Sequence, residues 1–160
     1  MELEKGYYDV YLEALYNVHT GQGGYGFFVT EHNDDNVVFK TCVPVINSTT
    51  NRTGAKALLE VAKFVEQNKK SRFDVFVKDG NLVRAYNDWM HVWATLNWRS
   101  RKGLRVKNAD LWEKIYYLKK LPFRVFYFNR KHIKDVEKKR TFERLSKFIR
   151  CENGDYCCGQ

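Results

Sequence analysis

Polar and apolar positions alternate through "YYDVYLEALYN" (residues 7–17), where Tyr, Val and Leu recur, and this predicts a first strand. A glycine turn, "HTGQGG", leads to a second strand over "YGFFVTE", and "NDD" at 33–35 turns the chain into a third over "NVVFKTCVPVI". Short connections make these three an antiparallel meander. The period then changes. Ala57, Leu58, Val61, Phe64 and Val65 fall at helical spacing in "GAKALLEVAKFVEQNKK", and the preceding "NSTTNRT" offers several caps. "FDVFV" reads as a fourth strand, "KDGNLVRAYNDWMHVWATL" turns into a helix, and "NADLWEKIYYLKKL" begins on an Asn or Asp cap as another. "PFRVFYF" is a fifth strand, and "KDVEKKRTFERLSKFI" is a basic amphipathic helix. Strands and helices in this order predict one α/β domain over residues 1–150, followed by a flexible, Cys-containing tail at 151–160. There is no internal repeat, low-complexity tract or linker.

Composition agrees with a globular chain: 160 residues, 44% of them hydrophobic, are enough for one real core. No run approaches the roughly 18–20 continuous apolar residues of a membrane span, so no membrane partner is expected. "MELEKGYYDV" starts acidic and lacks an apolar signal core, which points to an intracellular protein of cytoplasm or nucleus. The sequons at Asn47 and Asn51 carry no weight without secretion. Cys42 lies in a strand-like run and reads as a packed thiol, while Cys151, Cys157 and Cys158 lack the second pair a zinc site needs. Twenty-eight basic residues against nineteen acidic give a net charge of +9, which favours a polyanionic partner such as nucleic acid.

All four tryptophans fall within residues 87–115, among lysines and arginines. A purely buried helix would keep these charges off its face, and a purely solvated one would not need the indoles. The spacing "W-M-H-x-W-x4-W" (89–98), followed by "KNADLW" (107–112), resembles the basic handle of the type 1 ribonuclease H family. "GGYG" (23–26) and "NR" (51–52) resemble further words of that family, and the similarity runs from about residue 8 to residue 149. It implies a ribonuclease H-like fold: a five-stranded mixed sheet, its first three strands antiparallel, flanked by helices. It also implies RNA paired to DNA as substrate, and four carboxylates holding two magnesium ions for phosphodiester cleavage.

Carried over residue by residue, the four carboxylate positions are unevenly kept. The first falls on Glu13, one methylene longer than aspartate, with Ala14 where a glycine is usual; Glu13 is open between metal ligand and ordinary strand residue. The second falls on Gly54, which has no ligand atom. The third matches Asp79, open between metal ligand and helix cap. The fourth falls on Phe142 if His132 and Arg140 align with one inserted residue, or on Glu143 with a shift of one. His132 then reads either as the family's loop histidine or as an ordinary one. The resemblance thus implies a domain whose two-metal centre is degenerate, leaving Glu13, Asp79, Glu143 and His132 as vestigial candidates and no cofactor beyond Mg²⁺ or Mn²⁺ if activity survives.

The binding parts are better kept. Trp89, Trp93 and Trp98 with Arg99, Arg101, Lys102 and Arg105 resemble the handle that grips the DNA strand; the indoles either meet nucleic acid or knit the handle together. Trp112 reads as core. Asn51 and Arg52, with Thr50 beside them, resemble the segment that reaches the hybrid, though Thr50 equally suits helix capping. The expectation is an impaired or inactive ribonuclease H-like module that binds RNA/DNA hybrid, RNA or DNA, within a larger replication or ribonucleoprotein complex. Two alternatives stand beside it: an active metal-dependent ribonuclease H using Glu13, Asp79 and Glu143, and a protein-interaction module that binds no nucleic acid.

Overall fold

Strands β1 (Tyr7–Asn17), β2 (Gln22–Glu31) and β3 (Val37–Ile46) pair antiparallel in sequence order. The structure is a computed structural model and describes residues 2–118, 123–129 and 135–152. The "GGYG" glycines are demanded by backbone crowding within this meander. A Cβ on Gly23 would lie 2.2 Å from the Leu15 carbonyl oxygen, and one on Gly26 would lie 2.4 Å from that of Thr41. Strand β2 starts at Gln22, earlier than its apolar residues suggest, because these small residues pair without contributing side chains.

Helix α1 (Thr50–Gln67) carries the chain across the sheet to β4 (Arg72–Val77), which lies parallel to β1, and β5 (Phe123–Tyr127) runs parallel to β4. The strand order is β3-β2-β1-β4-β5, a five-stranded mixed sheet. Period-2 alternation sorts β1 between two cores. Tyr8, Val10 and Leu12 face α1 with Leu58, Val61 and Val65. Tyr11 faces the opposite layer, where α5 (Val136–Glu152) delivers Phe142, Leu145 and Ile149. Helix α1 begins four residues before Gly54 because Thr49 caps it, its Oγ1 accepting from Arg52 N at 3.0 Å.

The segment expected as one helix after β4 is broken into three pieces. Helix α2 (Gly80–Arg84) passes into a π-helical turn at Ala85–Trp89 and then into α3 (Met90–Thr95). The wider turn changes the helical phase, so that Met90 is fully buried while Trp89 beside it is 40% exposed. Helix α3 ends where Asn97 and Trp98 both take positive φ, 54° and 63°. That conformation is costly for a bulky residue, roughly 1–2 kcal/mol. Trp98 compensates by burial to 3% and by an edge contact with Tyr116 at 5.7 Å. A tight loop then returns through Val106, whose N–H donates to the Trp98 carbonyl at 2.9 Å, into α4 (Ala109–Tyr117). No helix among the described residues is long and apolar enough to cross a membrane. Of the Cys-containing tail expected at 151–160, Cys151 and Glu152 continue the last helix, and the remainder lies outside the described residues.

Trp98 therefore pins the returning loop to the core. Trp98→Ala is expected to cost about 3–5 kcal/mol of stability in urea unfolding; a cost below about 1 kcal/mol would contradict this anchoring role.

Candidate functional site

Residue Glu13 lies one step beyond the last β1–β4 pair, Leu12↔Val77, which sets it level with Lys78. Period 2 turns both side chains toward α5. The Lys78 ammonium stands 3.0 Å from Glu13 Oε2, and Ser146 of α5 donates its hydroxyl to the same oxygen at 2.7 Å. Lys78 Nζ also lies 5.3 Å from the centre of the Phe142 ring. Phe142 is 2% exposed and packs edge-on to Tyr11 at 5.3 Å, with Phe128 at 5.1 Å on another side. That ring is a core residue and offers no ligand atom.

These groups border a cleft of about 460 Å³ lined by Glu13, Gly54, Lys78, Asp79, Thr50 and Asn129. Two carboxylates line it, those of Glu13 and Asp79, and one already holds an ammonium. Asp79 caps α2, its Oδ1 accepting from Asn81 N at 2.9 Å and Leu82 N at 3.4 Å. Gly54 faces the Leu82 methyl groups, which a Cβ would meet at 3.5 and 3.7 Å, ordinary contact distance. Glu143 is exposed on α5 and does not line the cleft. His132 lies outside the described residues. Glu13, Asp79 and Glu143 do not converge as a group of metal ligands. A pair of divalent ions needs several anionic oxygens within a few ångströms, and the described residues of this cleft do not fit that requirement.

Beside the cleft lies a groove of about 320 Å³, with Asp79 on the border between them. Asn51, Asn81, Lys107 and Asn108 supply its polar rim, and Trp89, Trp93 and Trp112 its aromatic wall. The three indoles form a chain, Trp89–Trp93 at 6.2 Å and Trp93–Trp112 at 6.1 Å between centroids. Trp112, read from sequence as core, is largely buried yet reaches this wall, whereas Trp98 stays out of it. The first turn of α1 sends Thr50 to the cleft and Asn51 to the groove.

Arg52 is held by a neighbour. Its guanidinium reaches both carboxylate oxygens of Asp110, at 3.1 and 2.8 Å, and donates to Asn108 Oδ1 at 3.1 Å. This fork ties α1 to the start of α4. The hydrogen bonds from Arg52 hold the Asp110 carboxyl below the ordinary aspartate range and raise the guanidinium's proton affinity. Of the loop cations, Arg99 donates to the Gly103 carbonyl at 3.0 Å and Arg105 stands 3.5 Å from Glu113. Arg101 and Lys102, at the exposed tip, have no ion-pair partner among the described residues.

Lys78, Ser146, Lys107, Asn81 and Asn108 were not foreseen as site residues. The strand period foreshadows Lys78, which must share a face with Phe76 and therefore with α5; nothing local foreshadows Ser146.

Comparison with known proteins decides the lineage. The RNase H family model matches residues 6–139. This chain belongs to the RNase H family. Among curated relatives, a ribonuclease H of Rickettsia massiliae is 27% identical over 107 residues, spanning 67% of each chain. The solved ribonuclease H domain of prototype foamy virus superposes with a TM-score of 0.72 at 11% identity, covering 92% of both chains. A foamy viral protease-reverse transcriptase, solved in complex with RNA/DNA hybrid, superposes with a TM-score of 0.70 at 11% identity, over 92% of this chain and 19% of that one. These likenesses extend to the five-stranded mixed sheet with flanking helices.

Because the hydrogen bonds from Arg52 lower the Asp110 carboxyl when this RNase H-family chain folds, the stability the fork adds is present above the unfolded value near pH 4 and is lost as pH falls through the folded value. Asp110→Asn is expected to flatten the acid limb of a melting-temperature profile below about pH 4, with a loss no greater than about 1 kcal/mol at neutral pH because the pair is exposed. An unchanged acid limb would contradict the pairing.

Proposed function

We propose that this chain is a ribonuclease H-fold module that binds nucleic acid, RNA/DNA hybrid foremost, with its hydrolytic centre impaired or lost. The observation that carries this reading is the Lys78 ammonium 3.0 Å from Glu13, in a cleft where hydrolysis would need divalent ions. A lysine brings one fixed positive charge and no exchangeable water. It therefore supplies neither an activated nucleophile nor Lewis-acid stabilisation of the leaving oxygen. Gly54 and Phe142 remove two further anionic positions that the family resemblance assigns. Loss of about 4 kcal/mol of transition-state stabilisation lowers a rate by about 10³-fold.

The groove supports retained binding. Trp89, 40% exposed, and the partly buried Trp93 present flat apolar surface to sugars or bases, and Asn51, Asn81 and Asn108 offer amides to backbone and base edges. Lys107 on the groove's rim supplies phosphate neutralisation, with Arg101 and Lys102 on the loop that precedes it. The foamy viral relative bound to RNA/DNA hybrid favours the same ligand class. In this reading residues 1–150 form the binding domain, 151–160 a tail, and the module works within a larger replication or ribonucleoprotein assembly inside the cell.

A second reading, active Mg²⁺- or Mn²⁺-dependent cleavage through Glu13, Asp79 and Glu143, is favoured by the relatives named ribonuclease H. Labelled RNA/DNA hybrid incubated with the purified chain in Mg²⁺ and in Mn²⁺ separates the two. The expected result is a stable complex and intact RNA; cleavage abolished by Asp79→Asn would replace the proposal with the second reading. Binding should weaken with salt. Arg101→Ala combined with Lys102→Ala is expected to make the slope of log K against log salt shallower by about 1.5. No hybrid, duplex or single-strand binding even at low salt would remove the nucleic-acid role altogether.

A further inference from the structure

Four residues before Glu13 on the same strand, and on the same face, a second polar cluster is built into the sheet. Asp9 of β1 and Asp74 of β4 are parallel-register partners, so their carboxylates stand side by side. Asp9 is completely buried and Asp74 is 6% exposed. Placing two carboxylates together in a low-dielectric interior is costly unless cations or donors surround them. The described neighbours give each of the four carboxylate oxygens a partner, which an arriving ion would have to displace or share. His32 Nδ1 lies 2.8 Å from Asp9 Oδ1, and Asn33 N donates to Asp9 Oδ2 at 3.0 Å. Asp74 accepts from the Tyr7 hydroxyl and from Arg124, whose Nη2 stands 3.2 Å away on a side chain that is 60% exposed.

We propose that Asp9, His32 and Asp74 form a binding site for a single divalent transition-metal ion of the zinc or manganese class, separate from the cleft. One ligand atom from each lies within 4.8 Å of the others, the only such triad among the described residues. Carboxylate oxygens with an imidazole nitrogen are the donor set these ions take. Tetrahedral ligands about 2.0–2.2 Å from a metal stand roughly 3.3–3.6 Å apart, so a pair at the 4.8 Å limit must draw in by about 1.2–1.5 Å. The orientation of the imidazole is already set, because the Tyr7 ring stacks on it at 3.7 Å with planes 5° apart.

Two further observations point to a cation here. Thr30, the antiparallel partner of Asp9 on the same face, is fully buried, and its Oγ1 makes no hydrogen bond of normal geometry, although the Tyr11 hydroxyl is near enough to feel it. A β-bulge between Val29 and Thr30 lies at this position, the kind of irregularity that re-aims a side chain. The surroundings are also acidic in a protein of net charge +9. Asp34, Asp35, Asp135 and Glu137 line a neighbouring cavity of about 90 Å³, where Lys138 pairs with Asp135 at 3.5 Å and Arg144 reaches Asp35 at 3.9 Å, leaving acids in excess of cations. Arg124 competes with the ion for Asp74 and can swing into solvent when displaced.

The test uses the full chain carrying Glu13→Gln and Asp79→Asn, so that cleft carboxylates do not contribute and failure here leaves the proposed function untouched. Mn²⁺ is titrated by electron paramagnetic resonance, and Co²⁺ by visible absorption, where thiolate ligation at cysteine would show its own charge-transfer band. One equivalent is expected, bound at least about 10-fold more weakly in His32→Gln and more tightly in Arg124→Ala. His32→Gln keeps a polar, half-exposed residue and so separates loss of the ligand from loss of the fold. Absence of uptake in the parent, uptake unchanged by His32→Gln, or a cobalt spectrum of thiolate type would overturn the proposal.

Discussion

Parallel pairing between β1 and β4 is the constraint on which both polar centres depend. These strands sit in the middle of the sheet, covered by α1 on one side and α5 on the other, so their register cannot slip without turning core residues to the wrong face. With Val10 opposite Val75 and Leu12 opposite Val77, the odd-numbered positions of β1 must meet the even-numbered positions of β4 beneath α5. Asp9 then meets Asp74, Tyr11 meets Phe76, and Glu13 comes level with Lys78. The aromatic middle pair, stacked at 5.6 Å, separates a carboxylate-rich end from one where acid and ammonium match.

The side chains around Glu13 satisfy one another's charges. Lys78, Phe142 and Ser146 form an internally consistent set: the ammonium answers Glu13 and stands over the Phe142 ring, and the serine donates to the same carboxylate. Such a set needs no ion to be stable. The groove next to it is consistent in another way: Trp112 and Trp93 anchor its wall to the core, while Trp89, 40% exposed, carries that wall out to the surface.

Much of the architecture was legible in the chain because its signals are local. Alternation in "YYDVYLEALYN" and the 3.6 period of α1 each report on burial within one element, and "GGYG" reports a crowded backbone. The break between α2 and α3 was not legible. Its π-helical turn answers to how Met90 and Trp98 must fit a core assembled from distant strands. At the site, Glu13, Asp79 and the tryptophans could be found through family spacing. Arg52 could be found too, but its fork to Asp110 spans α1 and α4 and exists only after folding. Ser146, far along the chain from Glu13, carries no local signal at all. Asp9 and His32 are similarly separated, and their meeting depends on the β1–β2 hairpin register.

Charge is also distributed unevenly across this sheet. The carboxylates around Asp9, Asp34 and Asp135 gather near one end of the strands, while Arg101 and Lys102 project from the loop between α3 and α4. The acids there are answered in part by Arg124, Lys138 and Arg144, whereas Arg101 and Lys102 have no ion pair among the described residues, so the loop holds uncompensated positive charge. Its field extends about one Debye length, roughly 8–10 Å at physiological salt, beyond the surface the side chains themselves can touch.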